Sequence, residues 1–451
     1  MSKRKSVLVA CVGVLSVGAG VVMAGPDVIV GDVTGPSGPR KWGTINGVTA
    51  YSIGTTSCNL GDTDLRWIQF GTFHPVIGQA MYRLKDGRFE QIGLSWLKHT
   101  FCALQETLCG SCDPVGPFCE SALGPGCSDP YSSSLNGDQS GLGPRFQVNA
   151  ATGEFVWPFA TRGQRGDVLF KRLQVAMTDL DPALNPGAVY FAEGQYISPD
   201  DAGIADDNNA SYRKVRVDTL TSSGYNLRWV GVTKRTAPAI SAWQDSDPSV
   251  DLLPVDVPGD GRFIVGSKVT DNGDGTWNYE YAIQNLNSDR SVGQVSIPLP
   301  SGVTITNIGF HDVDYHSGEP FDGTDWTMSQ DSTQVAWSSP ETFAQNPDSN
   351  ALRWGTTYNY RFTANTPPEF GDAIIGLFKP GTPASLTITT SVPSAGGCPA
   401  DIDGDGDADV ADFFAFVTAF AAGDMAADLN GDGMIDVSDF FAFVAAFAVG
   451  C

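Results

Sequence analysis

Carboxylates at fixed intervals near the C-terminus are the residues best placed to do chemistry. Asp401, Asp403, Asp405, Asp409 and Asp412 occupy positions 1, 3, 5, 9 and 12 of a twelve-residue loop, and the Asp407 carbonyl falls at position 7. The pattern returns 27 residues later as Asp428, Asn430, Asp432, the Met434 carbonyl, Asp436 and Asp439. Gly406 and Gly433 stand at position 6, where the loop must turn sharply. Calcium takes six to eight oxygen ligands in a flexible shell, and this spacing supplies them. Over 23 aligned positions the copies share 16 identities. Two loops in register predict two Ca2+ ions rather than two solvated acidic turns. Asp at position 12, in place of Glu, predicts a slightly different shell.

The elements that position these loops are two apolar helices. Phe413, Phe416, Val417 and Phe420 fall at i, i+3, i+4 and i+7, and Phe440, Phe443, Val444 and Phe447 repeat the stripe. The stripes are expected to meet as a small core. Phe414 and Phe441 lie about 100° around each helix, so they either cover a flank of the core or face a partner. Residues 398–451 hold eleven acidic residues and no Lys or Arg. Without a cation these carboxylates repel, so metal binding becomes part of the folding free energy. Cys398 and Cys451 bracket the unit, and a disulfide between them could add about 4 kcal/mol in the chain-entropy model.

This paired loop-and-helix unit resembles a type I dockerin, the calcium module that docks enzymes onto cohesin domains. The Cys-bracketed form is similar to that of planctomycete secreted proteins. The resemblance implies an extracellular docking partner, cohesin-like or another cell-surface receptor. Dockerins usually carry Ser or Thr at loop positions 10 and 11, whereas this chain has Val410-Ala411 and Val437-Ser438.

The N-terminus reads as a secretory signal over residues 1–24. Lys3-Arg4-Lys5 precede an apolar run from Val7 to Val22, and Val22-Met-Ala24 offers a cleavage site. The Leu8-Val-Ala-Cys11 stretch matches a lipoprotein box superficially, but the apolar run before it is too short. No second long apolar segment follows, so no transmembrane segment is expected in the mature chain. The net charge is −24, and losing the signal removes three basic and no acidic residues. Such a chain is a poor nucleic-acid binder, since phosphate neutralisation needs the opposite charge. Of nine cysteines, eight remain after the signal, as expected for a disulfide-bonded extracellular protein. Cys58, Cys102, Cys109, Cys112, Cys119 and Cys127 allow fifteen pairings. Cys109-Gly-Ser-Cys112 is read as part of a disulfide-tied loop rather than as a zinc knuckle or redox pair.

The remaining residues read as mainly β, in two parts. A disulfide-containing domain of unknown function is expected over 25–245, and an immunoglobulin-like sandwich over 262–392, with a boundary in the Asp- and Pro-rich Gln244–Gly261. Expected strands in the first part are Val168–Met177, Val189–Ile197, Tyr212–Val217 and Leu227–Val232. Trp277, Tyr279, Tyr281 and Ile283 alternate after the turn at Asp271–Gly275, as in a half-buried strand. Leu352 to Phe362, with Tyr358, Tyr360 and Phe362 alternating, is similar to the tyrosine-corner strand of fibronectin type III domains, which implies the sandwich.

Outside the loops, chemistry is sparse. No Gly-x-Ser-x-Gly, His-Glu-x-x-His or phosphate loop occurs. On a strand, Asp312, Asp314 and His316 would share a face and, with His311, could hold a divalent ion; an acidic strand end is the commoner meaning. His74 and His99, with Glu90 between them in sequence, could meet in a cleft or be structural. Asp200, Asp201, Asp206, Asp207, Asn208 and Asn209 read as a solvated loop, with a further calcium site as the alternative. Asp179 and Asp181 are a carboxylate pair of the kind a glycosidase uses, at about 5–5.5 Å or, with inversion, about 6.5–9.5 Å. The ten tryptophans are expected in the core unless a coplanar exposed set forms a sugar platform. These readings favour a secreted, calcium-binding, docked protein without its own catalysis. The alternative is a polysaccharide-degrading glycoside hydrolase or carbohydrate-binding protein carried by the dockerin-like unit.

Overall fold

The computed structural model describes residues 25–394, 400–403, 408–430 and 433–449. The signal segment, Cys398, Cys451, Asp405, Gly406, Asp407 and Asp432 lie outside them. The chain is mainly β, and its strands pair antiparallel throughout. Among the described residues no helix is long and apolar enough to cross a membrane.

The N-terminal body is built on a seven-stranded sheet whose middle is Val76–Lys85 against Val189–Ile197, followed by Ala210–Thr221 and Gly224–Lys234. Two-residue turns connect its tightest hairpins. At Asp86-Gly87 and Asn46-Gly47 both residues take positive φ, the geometry that matches strand twist and that Asn/Asp-Gly pairs adopt at least cost. Two three-stranded sheets pack alongside, Val28–Thr34 with Gly54–Asn59 and Ser128–Tyr131, and Arg40–Ile45 with Val48–Ser52 and Leu173–Ala176. Tyr51, Trp67, Ile77, Met81 and Tyr196 fill the shared core. Disulfides join Cys58 to Cys109, Cys102 to Cys119 and Cys112 to Cys127. Cys109 and Cys112 thus have different partners, and neither a zinc knuckle nor a Cys-x-x-Cys redox pair is formed.

The expected strand Val168–Met177 is shorter than its apolar pattern. Only Leu173–Ala176 pairs, because Lys171 turns at φ 64° and buries its ammonium among the carbonyls of Gln139, Thr161 and Gln164. The strands Val189–Ile197, Ala210–Thr221 and Gly224–Lys234 contain the other three expected segments.

The second body is a sandwich of two five-stranded sheets around one core. One sheet runs Asp251–Asp256, Arg262–Asp271, Trp277–Asn285, Thr356–Ala364, Ile305–His311. The other runs Thr327–Gln330, Gln334–Ser338, Val292–Pro298, Pro368–Leu377, Ser385–Pro393. Tyr279, Ile283, Trp337, Tyr358 and Phe362 lie between them. The Tyr358 hydroxyl donates back to Asn350 Oδ1 at 2.6 Å and to the Ala351 carbonyl at 3.0 Å. The aperiodic Gln244–Gly261 is not a free linker. Ser241–Ser246 is helical, and Asp251–Asp256 is the edge strand of the sandwich. Pro254 is compatible with that edge, where one side of the strand needs no ladder donors.

The two bodies share buried contacts. Tyr82, Phe89, Phe191 and Tyr212 from the first meet Trp243, which leads into the edge strand, and Ala282 of the sandwich. The Glu193 carboxylate, fully enclosed, accepts from Tyr82, from Gln284 and from the Ala239 N–H. Gln91 spans the joint, with its Oε1 accepting from Thr357 N at 2.7 Å. Such paired polar groups fix how the bodies meet, because breaking any one strands its partner away from water.

All ten tryptophans are buried or partly buried, so no exposed tryptophan platform exists. Beyond the sandwich, helices Val410–Ala422 and Val437–Val449 pack through Phe416 and Phe443, whose rings stack at 4.2 Å.

Candidate functional site

Each C-terminal helix begins where its acidic loop ends, and the two are joined by the same carboxylates. Asp409 is the N-cap of Val410–Ala422. Its side chain accepts from Ala411 N at 2.6 Å, while Asp412 reaches back to Asp409 N at 2.9 Å, a reciprocal capping box. Asp436 and Asp439 repeat it, with Ser438 N on Asp436 at 2.7 Å and Asp436 N on Asp439 at 2.8 Å. Gly423 closes the first helix at φ 69°, in the left-handed region that glycine adopts freely.

The buried position-12 carboxylates also staple the start of each loop. Asp412 Oδ1 accepts from Ile402 N at 2.7 Å and Asp403 N at 3.1 Å. Asp439 Oδ1 accepts from Asn430 N at 3.2 Å. Donors crowd these groups and hold both carboxyls below their usual range, led by the Asp409 N–H for Asp412 and the Asp436 N–H for Asp439. Of about four lone-pair sites on a carboxylate, Asp412 commits three to backbone donors. It can offer a cation one oxygen, not the bidentate grip of a position-12 Glu.

The donor set fits a hard cation. Asp401, Asp403 and Asp412 bring carboxylate oxygens within 4.8 Å of one another, the one such group of three among the described residues. In the second loop Gly433 takes φ 81°, as position 6 requires, and donates its N–H to Asp428 Oδ2 at 2.9 Å. Asp409 and Asp436 combine the cap with their place at loop position 9. The sequence carried the capping signal as Asp-x-x-Asp, hidden by its overlap with the metal spacing.

The apolar stripes divide differently from the expectation. Phe416 and Phe443 are buried. Phe413, Val417 and Val444 are exposed, because each helix has one partner and that partner covers only a narrow arc. Phe414 and Phe441 are 64% and 65% exposed and cover no flank of the core. With Val410 and Val417, and with Val437 and Val444, they form two matching exposed stripes at i, i+4 and i+7.

Elsewhere the structure separates some candidates and joins others. His311 ends a strand and His316 lies beyond it, so the expected common face does not form. His311 Nε2 donates to the Gln91 carbonyl at 3.2 Å and His316 Nε2 to that of Leu94 at 2.8 Å. Both rings therefore tie the sandwich to the first body. His74 and His99 do meet, at 3.0 Å between His74 Nε2 and His99 Nδ1. Since His74 Nδ1 must donate to the Ile68 carbonyl, its Nε2 accepts and His99 Nδ1 donates. Burial pushes the His74 imidazole down to about 4 and His99 well below its usual value. The pair is a neutral, structural one beside Phe155 and Trp157. Glu90 is not part of it and instead pairs with Arg83 at 2.6 Å.

Asp179 and Asp181 part company as well. Asp181 caps a turn at Ala183 N, while Asp179 pairs with Arg83 and lines a cleft of about 360 Å³ between the bodies. The cleft's other wall carries His311, Asp312 and Asp314. Burial pushes Asp312 up to about 6 and raises Asp179 against the pull of Arg83. Burial opposes ionisation of Glu90 too, but His311 and Arg83 hold it low. A larger cavity, about 760 Å³, is lined by Phe73, Phe146 and Phe155 with Arg66 and Lys379 at its rim. Both cations are already paired, with Asp200 and Asp289.

No protein-family model matches the chain, and no curated protein matches it.

Proposed function

We propose that this is a secreted protein which attaches through its dockerin-like C-terminal unit, residues 398–451, to an extracellular or cell-surface partner. Two calcium ions would set the loops, and the loops would set the helices. The reading rests on one observation above all: Asp401, Asp403 and Asp412 cluster at the foot of a helix that shows solvent an apolar stripe, and the second loop and helix repeat the design. Asp401, Asp403, Asp409 and Asp412, and Asp428, Asn430, Asp436 and Asp439, are the described side chains that would hold the ions, with Asp405, the Asp407 carbonyl, Asp432 and the Met434 carbonyl completing the sequence pattern. Calcium supplies charge neutralisation there and no catalysis. Three disulfides and the absence, among the described residues, of a membrane-crossing helix are compatible with secretion. We read 262–392 as immunoglobulin-like on the back-bonded Tyr358 hydroxyl, and assign it a spacer or binding role. The test is capture of the partner from native cell-surface extract, with and without chelator. Phe414→Ser/Phe441→Ser should abolish capture while calcium uptake persists; capture that survives both the variant and the chelator contradicts the reading.

The interdomain cleft favours a second reading, a polysaccharide-active enzyme. Asp179, Asp312 and Asp314 all line the cleft, and burial raises Asp312 to about 6, toward the range of a general acid. Sugar release from a polysaccharide panel that disappears in Asp312→Asn would establish it, and no release from the wild-type chain would dismiss it.

A further inference from the structure

Among the 200–209 segment and the residue just before the first strand lie four buried side-chain oxygens that receive no hydrogen bond: Asp27 Oδ1, Asp201 Oδ1, Asn208 Oδ1 and Asn209 Oδ1. They belong to neighbouring side chains. Asn209 Nδ2 donates to Asp201 Oδ2 at 3.1 Å, and Asn208 Nδ2 donates to Asp27 Oδ2 at 3.3 Å. These bonds fix the amide orientations, since a flip would set amide oxygen against carboxylate oxygen. Asp201 and Asn209 have no exposed surface, and Asp27 is 7% exposed.

An orphaned buried acceptor keeps the full cost of lost hydration, and here that cost recurs four times in one place. One water cannot cancel it, because it has two protons to give. Nor would water relieve the repulsion of Asp206 and Asp27 on the Asp201 carboxylate, which adds to burial in raising the Asp201 carboxyl. A cation answers both needs. The other acidic side chains nearby are already engaged. Asp200 holds Arg66, Asp207 holds Arg262, and Asp206 Oδ2 accepts from Gly203 N.

We propose that Asp27, Asp201, Asn208 and Asn209 form a calcium site in the β-rich body, separate from the C-terminal loops. Two carboxylates match the ion's charge, and two amide oxygens extend an all-oxygen donor set of the kind calcium accepts. Magnesium instead keeps several waters in a rigid octahedron. The ion would fasten the start of the first strand, whose Val28 N–H already donates to Asp201 Oδ2 at 3.0 Å, to the 200–209 segment. That segment reaches the sandwich through Asp207 and Arg262 and through the Asp206 carbonyl and Asn287. The site therefore sits where the start of the first strand and both bodies come together.

The test uses the full chain with the C-terminal loops silenced by Asp401→Ala/Asp428→Ala, so its outcome does not depend on the dockerin-like reading. Equilibrium dialysis against radiolabelled calcium should find one ion per silenced chain. Adding Asp201→Asn should abolish that uptake. Adding Asn208→Ala, at a less buried position that spares the fold, should weaken it by at least about tenfold. No uptake by the silenced chain overturns the proposal, as does uptake that Asn208→Ala leaves unchanged. A tenfold excess of magnesium over calcium should not displace the ion, and displacement overturns the assignment to calcium.

Discussion

The C-terminal loops and the 200–209 segment are both rich in Asp and Asn, yet they hold their oxygens in different ways. In the C-terminal loops the oxygens are set by a sequence period, and position-12 carboxylates fold back onto backbone donors. The core beneath is small, with Ala400, Phe416, Ala427 and Phe443 as its buried apolar residues among those described. In the 200–209 segment there is no period. Its oxygens are buried against residues from distant parts of the chain, Asp27 among them, in a body with a large core and three disulfides. On the proposed reading, the difference separates a metal that would act as a folding partner from one that would fit a frame already built. A loop on a small core would depend on its ion to form, whereas a site inside a large core would depend on the fold.

Chelation should separate the two most strongly. On removal of calcium the helical circular-dichroism signal of Val410–Ala422 and Val437–Val449 should disappear, while near-ultraviolet signals from the buried tryptophans of the β bodies persist. Loss of both together would erase the contrast. Next in size, Phe416→Ala should cost the C-terminal unit about 3–5 kcal/mol, more than so small a core withstands, so the helices should be lost even with calcium present. Retained helicity in that variant would mean that the loops, not the stacked rings, carry the fold.

The β body should show its own dependence on pH. In the folded state His74 titrates at about 4 and His99 well below its usual value, whereas in the unfolded chain both titrate near 6.5. The unfolded state thus binds more protons between these values. The stabilising contribution of the pair is fully present above about pH 6.5 and is lost as pH falls toward 4, with a slope of up to about 1.4 kcal/mol per unit for each histidine. Denaturant titrations of the wild type and of His74→Gln/His99→Gln, compared at several pH values, measure it. Equal slopes in both proteins would contradict it. Smallest in stability is Phe414→Ser/Phe441→Ser. Both side chains are exposed, so unfolding free energy should change by no more than about 0.5 kcal/mol while partner capture is lost. A large destabilisation would move these rings from the partner surface to the core.

The same contrast explains what the sequence could disclose. The doubled loop was legible because its acidic residues and glycines recur at local spacing, which survives as text. The strands Val189–Ile197 and Trp277–Asn285 were legible from alternation. The joint between the bodies was not, because Glu193, Gln284, His311 and His316 act through contacts 90 or more residues apart in the chain. The edge strand Asp251–Asp256 was missed since its exposed side chains need no alternation. Phe413 and Val417 fit the helical period, but a period cannot report how much of a face its partner covers. Asp27 stands far from the 200–209 segment in sequence, and nothing near it marks it as a ligand.

The most direct measurement is the number of calcium ions bound by the full chain, by calorimetric titration, before and after Asp401→Ala/Asp428→Ala. The expected result is three ions in the wild type and one in the variant, with helix lost in step with the two that disappear. Equal uptake by the two proteins, or none by the wild type, would contradict the assignment of the doubled loop to calcium.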